Sequence, residues 1–257
     1  MIITVIGNDS RQRELARLLN KHYDTIYLSG DEEIKIVKSI LKISDTVILP
    51  LPMTRDNKTI SSTSVCISDI ENNIPKNAVV FAGGCKDFSP QCKLIDYNEI
   101  EEFTLKNALY TAEAAIALAV INTPFSLSDA KILIMGNGRI GKFLTDLLSP
   151  LCKSITVSAR KQKDFDFIRS KGHNYVESGK ISDLSDYNVI FNTIPEKIIE
   201  PTTLLTLSEN TLIVDLASKN SGLYSEGKNY IDAKALPAKY CKMSTAEALF
   251  DSVSKYL

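Results

Sequence analysis

Short apolar runs alternate with longer amphipathic stretches along the first half of the chain. The amphipathic stretch 32–43 has helical spacing, and it lies between two such runs. Strands separated by helical stretches predict a parallel sheet covered on both faces. The predicted strands of this half lie at 2–6, 25–28, 46–49 and 79–82.

The second half repeats this alternation, and a long helix joins the halves. Residues 104–122 are continuous and Ala-rich without Pro or Gly, and Pro124 follows them. The last segment, 245–257, is also amphipathic. The predicted strands of this half lie near 131–135, 154–158, 174–176, 188–191, 211–215 and 229–231.

These patterns predict an α/β fold with two doubly wound parallel-sheet domains joined by long helices. The second domain is predicted to be a Rossmann dinucleotide-binding domain. The predicted parts are a flavodoxin-like substrate domain at 1–104, a connecting helix at 105–127, the Rossmann domain at 128–243 and a C-terminal helix at 244–257 that packs back across the hinge.

One turn in the second half has the pattern of a nucleotide-binding site. The run Lys131–Met135 leads into Gly136-Asn-Gly138-Arg-Ile-Gly141 and a predicted helix. In such a turn the first glycine permits a tight bend, the second lets the backbone approach a pyrophosphate, and the third lets helix and strand pack closely. The helix N-terminus then favours the bound anion. The pattern predicts NAD-type binding; the alternative is a glycine-rich turn kept for packing.

The end of the next predicted strand bears on which nicotinamide cofactor is bound. An NAD site normally places Asp or Glu there to bond the ribose 2′-hydroxyl. This chain has Ser158-Ala-Arg160-Lys161, and its first acid is Asp164. A guanidinium binds a phosphate through two parallel hydrogen bonds, and nearby lysines add positive charge. We therefore predict NADP(H), with NAD(H) as the alternative; a solvated basic loop would bind both about equally.

Two further strand ends in the second half carry polar side chains. In Phe191-Asn192-Thr193-Ile194-Pro195, Asn192 and Thr193 are candidates for bonds to the nicotinamide carboxamide or ribose, unless the segment is only a turn before a helix. The next such segment is Asp215-Leu-Ala-Ser-Lys219. Lys219 is a candidate cation for a substrate carboxylate or, with a lowered pKa, a general acid or base. An exposed loop lysine is the alternative.

The connecting helix and the first half supply candidates for the substrate side. Thr111 and Glu113 interrupt the apolar run of the helix, so we expect them to face the cleft, unless they face solvent. Because ligands of parallel sheets bind beyond the carboxyl ends of the strands, the polar turns of the first half are also candidates. This half has too little glycine for a second phosphate loop, so we assign it to substrate. Its candidate residues are Asp9, Arg11, Pro52, Thr54 and Arg55.

Composition argues against several other classes of function. The 257 residues carry a formal net charge of −1 and are 44% hydrophobic, which favours neither nucleic acid nor a membrane as partner. Five cysteines without C-x-x-C spacing and two histidines near predicted helix ends predict no metal site, no disulfide framework and no histidine-based mechanism. The N-terminal strand lacks the features of a signal peptide, and 112–121 is too short to span a bilayer, so we expect a cytoplasmic protein.

Read together, these motifs resemble the A-subunit family of dipicolinate synthase, an enzyme of spore-forming bacteria that makes dipicolinic acid. The resemblance runs through almost the whole chain, from Ile6–Gln12 to Thr245-Ala246. Its most specific parts are F-N-T-I-P and D-L-A-S-K at their spacing after G-x-G-R-x-G. The chain departs from the family pattern near the expected substrate mouth, where Asn220-Ser221-Gly222 replaces Pro-Gly-Gly.

The resemblance implies NAD(P)-dependent oxidation of dihydrodipicolinate to dipicolinate in the cytoplasm of a sporulating mother cell. It also implies a separate, flavoprotein-like B subunit, within a homo- or hetero-oligomer. Lys219 and Arg55 would then pair with the substrate carboxylates, with Thr111 nearby, and Glu113 or water held by it would take the proton. The full predicted cofactor set is Gly136, Gly138, Arg139, Ile140, Gly141, Ser158, Arg160, Lys161, Asn192, Thr193, Ile194 and Pro195.

Two other functions remain open from the sequence. One is another NADP-linked dehydrogenase that acts on a small hydroxy or amino acid. The other is a cofactor-binding subunit without catalysis of its own, which stabilises or regulates a catalytic partner.

Overall fold

A computed structural model describes residues 1–84, 88–218, 221, 223 and 229–257 of the chain. It divides the chain into two compact units. The first consists of Met1–Asn107 together with Pro237–Leu257, and the second of Ala108–Leu236. Each unit is built on one parallel sheet.

The first unit contains a five-stranded sheet in the order β2-β1-β3-β4-β5, with all neighbouring strands parallel. This is the flavodoxin-like order. Its strands are β1 (Ile2–Ile6), β2 (Asp24–Leu28), β3 (Thr46–Ile48), β4 (Val79–Ala82) and β5 (Lys93–Asp96). The helices between them are α1 (Ser10–Leu19), α2 (Ile34–Leu41) and α3 (Ile67–Glu71).

Burial explains why the central strands of this sheet are visible in the apolar pattern of the sequence. The central strands β1 and β3 are covered on both faces, and Ile3, Val5 and Ile48 are fully buried, so these strands read as continuous apolar runs. The edge strand β5 is exposed at Lys93 and only half-buried over its other residues. Its apolar run consists of Leu94 and Ile95 alone, so the sequence pattern does not predict it.

The second unit contains a six-stranded parallel sheet in the order β11-β10-β9-β6-β7-β8. Counted from β6 as the first strand, this is the 3-2-1-4-5-6 order of Rossmann domains, so the predicted fold class is confirmed. Its strands are β6 (Lys131–Met135), β7 (Ser154–Ala159), β8 (Asn174–Glu177), β9 (Val189–Asn192), β10 (Leu212–Asp215) and β11 (Asn229–Asp232).

Helices complete both units. Those after the connecting helix α4 (Glu101–Asn122) are α5 (Arg139–Leu148), α6 (Gln162–Ser170), α7 (Pro201–Leu204), α8 (Leu236–Tyr240) and α9 (Lys242–Ser254). In the first unit α9 packs against α1, and the Ser10 hydroxyl donates a hydrogen bond to the carbonyl oxygen of Ala238. The structural boundary thus falls at Leu236, before the end at 243 that the sequence pattern predicts for the Rossmann domain.

By length and composition alone, α4 could cross a membrane, because the apolar run at 112–121 is part of a 22-residue helix. The core helix of a globular protein meets the same criterion. Several of its alanines are buried inside the protein, namely Ala108, Ala112, Ala114, Ala115 and Ala119.

Candidate functional site

The turn after β6 has the geometry that its three glycines predict. Gly136 has φ +103°, in the left-handed region that favours glycine. A Cβ added at Gly138 would meet nothing within 4 Å, so the backbone there borders open space. A Cβ added at Gly141 would lie 2.0 Å from the carbonyl oxygen of Gly136. Helix α5 therefore packs directly against the turn, and its first N–H groups, which have no partner inside the helix, lie beside the open space.

A cavity of about 360 Å³ lies beside this turn. Three strand ends line it, through Gly136–Gly138 after β6, Ser158–Lys161 at the end of β7 and Thr193–Glu196 after β9. These ends meet because Met135 is in register with Ser158 on one side and with Asn192 on the other. Between β6 and β9 the strand order reverses, and ligands of open α/β sheets bind at such a point.

The side chain of Asn137 indicates which kind of group the turn can bind. Its Nδ2 atom is buried and has no hydrogen-bond partner among the described residues. A buried donor without an acceptor costs about 1–3 kcal/mol. A phosphate oxygen bound on the turn would be a suitable acceptor, so the turn fits a pyrophosphate. Asn137 is absent from the predicted site set, although a polar residue between the first two glycines is a signal for it.

Ser158 supports the turn from the neighbouring strand. It is fully buried, its hydroxyl oxygen accepts a hydrogen bond from the Gly136 N–H at 3.2 Å, and it lies 3.2 Å from the hydroxyl of Ser178. The same Gly136 N–H also lies 3.1 Å from the Ser158 carbonyl oxygen. Ser158 therefore holds the glycine turn in place while it lines the cavity.

The end of β7 presents charges of both signs to the cavity. Arg160 and Lys161 are exposed and line it, and so does the half-buried Asp164 in the first turn of α6. At this edge two cations lie near one carboxylate, and the N-terminus of α6 adds to the positive potential, while Glu196 on the β9 side brings a second carboxylate to the cavity lining. This edge of the cavity can bind an anionic group.

Asn192 is fully buried, and its side chain bonds within the protein. Its Nδ2 donates to Asp215 Oδ1 at 2.8 Å, and its Oδ1 accepts from the Ile194 N–H at 3.0 Å. The amide is thus engaged inside the sheet and does not face the cavity as a free hydrogen-bonding group. Thr193 lines the cavity, but its hydroxyl donates to the Met135 carbonyl oxygen at 2.8 Å.

Asp215 connects the two most specific motifs of the sequence. It ends β10 and is in register with Asn192 at the end of β9. The carboxylate is 2% exposed and also accepts hydrogen bonds from Ser221 and Tyr230. Burial, and then Asp215, raise the pKa of the Tyr230 hydroxyl well above its usual value. Lys219, the last residue of D-L-A-S-K, lies outside the described residues.

Thr111 and Glu113 of α4 have different surroundings. Thr111 is buried and Glu113 is exposed. Residues two apart on a helix do not face the same side. The two side chains therefore lie on different faces of α4, and their place at a substrate cleft stays a prediction.

Asp9 and Arg11 bond to each other and to the backbone of the first unit. Asp9 caps α1 by accepting from the N–H groups of Arg11 and Gln12, at 2.9 and 3.2 Å. The buried Arg11 guanidinium lies 2.8 Å from the Asp9 carboxylate and donates to the Leu51 carbonyl oxygen at 2.7 Å. These contacts join the loops after β1 and β3.

The other substrate candidates of the first unit lie in the loop after β3. Pro52 and Arg55 are exposed. The Thr54 hydroxyl donates to Asp56 Oδ1 at 3.1 Å and accepts from the Asn57 N–H. Thr54 also lines a cavity of about 680 Å³, together with Met53 and Phe88 among others.

Comparison with known proteins agrees with the motifs. Residues 2–101 match the family model described as the N-terminal domain of the dipicolinate synthase A subunit. The A subunit of dipicolinate synthase from Bacillus subtilis (strain 168) is 26% identical over 282 residues, which cover 99% of this chain and 95% of the relative. The chain resembles the A subunit of dipicolinate synthase from end to end. The predicted family resemblance is thus confirmed.

Solved structures support the same fold. A crystal structure of the dipicolinate synthase A subunit from Bacillus halodurans has a TM-score of 0.84 at 23% identity, covering 99% of this chain and 97% of that one. The corresponding crystal structure from Bacillus subtilis has a TM-score of 0.82 at 24% identity, covering 100% and 95%. A transhydrogenase from Sinorhizobium meliloti has a TM-score of 0.67 at 13% identity, covering 100% and 92%.

The contacts of Asp9 predict a role in stability that an exposed aspartate lacks. Asp9→Ala removes a helix cap and leaves the buried Arg11 without its carboxylate, so we expect the free energy of unfolding to fall by about 2–4 kcal/mol. Urea unfolding measures this. The control is Asp24→Ala, at an exposed position, with an expected change within about 0.5 kcal/mol. An unchanged stability of Asp9→Ala would contradict the role.

The close contact at Gly141 leads to a second prediction about stability. Gly141→Ala places a methyl group against a backbone carbonyl, so we expect a loss of at least about 2 kcal/mol in the free energy of unfolding. Gly138→Ala is the matched variant in the same turn. Its Cβ enters open space, so we expect a loss below about 1 kcal/mol. Equal losses in thermal and urea unfolding would show that α5 does not depend on the close contact at Gly141.

Proposed function

We propose that the protein is an NAD(P)-dependent oxidoreductase that converts dihydrodipicolinate to dipicolinate in the cytoplasm of a sporulating bacterium. The reaction class rests on the cavity between β6 and β9, where the glycine turn leaves a buried donor of Asn137 without an acceptor among the described residues. The substrate rests on the similarity over 99% of the chain to a protein named as the A subunit of dipicolinate synthase.

The chemistry requires removal of a hydride and a proton from the dihydropyridine ring. A nicotinamide dinucleotide, when bound, would supply the hydride acceptor, and aromatisation of the substrate ring favours this direction. The protein contributes mainly by holding the two reactants in line. We assign the glycine turn to the pyrophosphate, with Arg139 and Ile140 at the start of α5 beside it.

The substrate is a dicarboxylate, so it requires cations. We assign Lys219 and Arg55 to its two carboxylates. The exposed Glu113, or water held by it, takes the ring proton, and Thr111 supports the helix on which Glu113 lies. The exposure of Arg55 leaves its guanidinium accessible to a ligand, in contrast to the buried and paired Arg11.

A second kind of chain is part of the proposal. The matched relative is named as one lettered subunit of a synthase, so its enzyme has at least one other kind of chain. The family resemblance gives this partner as a flavoprotein-like B subunit. The active form is then a hetero-oligomer, or a homo-oligomer of this chain that the B subunit joins.

A spectrophotometric assay tests the reaction. Freshly generated dihydrodipicolinate is mixed with NADP⁺ or NAD⁺, with and without the B subunit. We expect the aromatic product and the reduced cofactor to form together. Dependence on B would place catalysis in the complex. Binding of NADPH without product under any of these conditions would contradict the reaction and favour a non-catalytic role, whereas turnover of a hydroxy or amino acid would favour another dehydrogenase.

The same assay tests Lys219. We expect Lys219→Met to raise KM for the dicarboxylate at least about tenfold or to abolish turnover, because a charged hydrogen bond to the substrate is lost. Lys234→Met is the control, since Lys234 is a half-exposed lysine of the same unit that pairs with Asp232. Unchanged kinetics of Lys219→Met would remove Lys219 from the site.

The choice between the two nicotinamide cofactors depends on Arg160. We propose that Arg160 and Lys161 bind the 2′-phosphate of NADP(H). Arg160→Ala should then weaken NADPH about tenfold to a hundredfold and NADH less than about threefold, because the second cofactor lacks the phosphate. Fluorescence titration gives both Kd values. Lys163→Ala, an exposed lysine in α6 outside the cavity lining, controls for general charge. Equal weakening of both cofactors would refute the assignment.

A further inference from the structure

Asp215 is a buried carboxylate with an unusually full set of donors. It accepts hydrogen bonds from Asn192 Nδ2 at 2.8 Å, Tyr230 Oη at 2.8 Å, Ser221 Oγ at 2.5 Å and the Ala217 N–H at 3.1 Å. Only 2% of the residue is exposed. A carboxylate removed from water is stable when such donors replace its hydration. We call Asp215, Asn192, Ser221 and Tyr230 the Asp215 network.

The strands that carry this network belong to one half of the dinucleotide-binding sheet. Asn192 ends β9, Asp215 ends β10 and Tyr230 lies in β11. In a Rossmann sheet the first three strands and the last three form two mononucleotide-binding halves. The first half here, β6–β8, carries the glycine turn and Arg160, which match the adenosine side. The Asp215 network therefore lies in the half that receives the nicotinamide.

Hydrogen bonds connect Asp215 to two backbone segments that follow strand ends. The first connection runs through Asn192. Its Oδ1 accepts from the Ile194 N–H and its Nδ2 also donates to the Ile194 carbonyl oxygen, so the network holds the turn that lines the cavity. Through the Ala217 N–H it fixes the first residues after β10. Both segments follow strand ends, where ligands of this fold bind.

We propose that Asp215 is a positioning residue for the nicotinamide half of the cofactor. It does not touch the cofactor; it sets the backbone after β9 and β10 against which the nicotinamide riboside lies. The inference rests on the proposed dinucleotide binding. It also assigns the buried amide of Asn192 an indirect role, in place of a direct bond to the carboxamide.

We expect Asp215→Asn to weaken binding of the nicotinamide half of the cofactor selectively. The side-chain amide of this variant has only one oxygen to accept hydrogen bonds from the four donors. Its NH₂ group lies where a carboxylate oxygen accepts in the wild type. We expect the full-length variant to bind NADPH at least about tenfold more weakly, because charged hydrogen bonds that hold the site are lost. Adenosine 2′,5′-bisphosphate keeps the adenosine, its 2′-phosphate and one phosphate of the pyrophosphate, and it lacks the nicotinamide riboside and the other pyrophosphate phosphate. Its binding should change less than about threefold. Titration calorimetry measures both.

Control variants separate positioning from general loss of structure. Asp232 is in register with Asp215 on β11 but is exposed and pairs with Lys234, so Asp232→Asn should bind both ligands like the wild type. Tyr230→Phe removes one donor and leaves the carboxylate in place. It should weaken NADPH binding by a smaller factor than Asp215→Asn does. If circular dichroism shows that Asp215→Asn does not fold, Tyr230→Phe replaces it in the test.

The outcomes distinguish the inference from the proposed function. If the wild type binds neither NADPH nor NADH, the dinucleotide function fails. If the wild type binds NADPH and the folded variants bind it equally well, the positioning role is overturned. Equal weakening of NADPH and adenosine 2′,5′-bisphosphate would also overturn it, since the defect would then be a general one of the second unit.

Discussion

The close approach of α5 to the turn after β6 is the constraint on which the candidate site depends. No side chain fits between Gly141 and the Gly136 carbonyl oxygen, so the start of the helix lies against the strand end. A Cβ at Gly136 would in turn lie 2.4 Å from the Thr193 hydroxyl, so the turn is held from the β9 side as well. Three strand ends thus meet in one place, and the N-terminus of α5 lies beside them.

Much of the fold can be predicted from the sequence because its central strands are buried on both faces. Such strands are apolar throughout, and their runs show without knowledge of the neighbours. Strand β5 lacks this signal because its apolar run is only two residues long, Leu94 and Ile95. The glycine turn is equally visible, since its requirements are local. The roles of Asn192 and Asp215 are not local: they follow from the register of β9 with β10, which no short motif encodes.

Residue type predicts chemistry less well than it predicts structure. Arg11 and Arg55 are both arginines near strand ends of the first sheet, and the sequence alone gives no reason to separate them. The structure does, because Arg11 is buried against Asp9 and Leu51, whereas Arg55 is exposed. Likewise Asp9 acts as a helix cap, while Asp215 serves as the acceptor of a buried network. Burial and partners, which depend on distant parts of the chain, decide these roles.

The path of the chain through the two units has a consequence for how the protein is made. The chain leaves the first unit at Asn107 and returns to it at Pro237, so the second unit is an insertion within the first. Helix α9, at the end of the chain, then packs against α1, near its beginning. During synthesis from the N-terminus the inserted unit has all its residues before the first unit does. The first unit can therefore complete its fold only after the whole second unit has been translated.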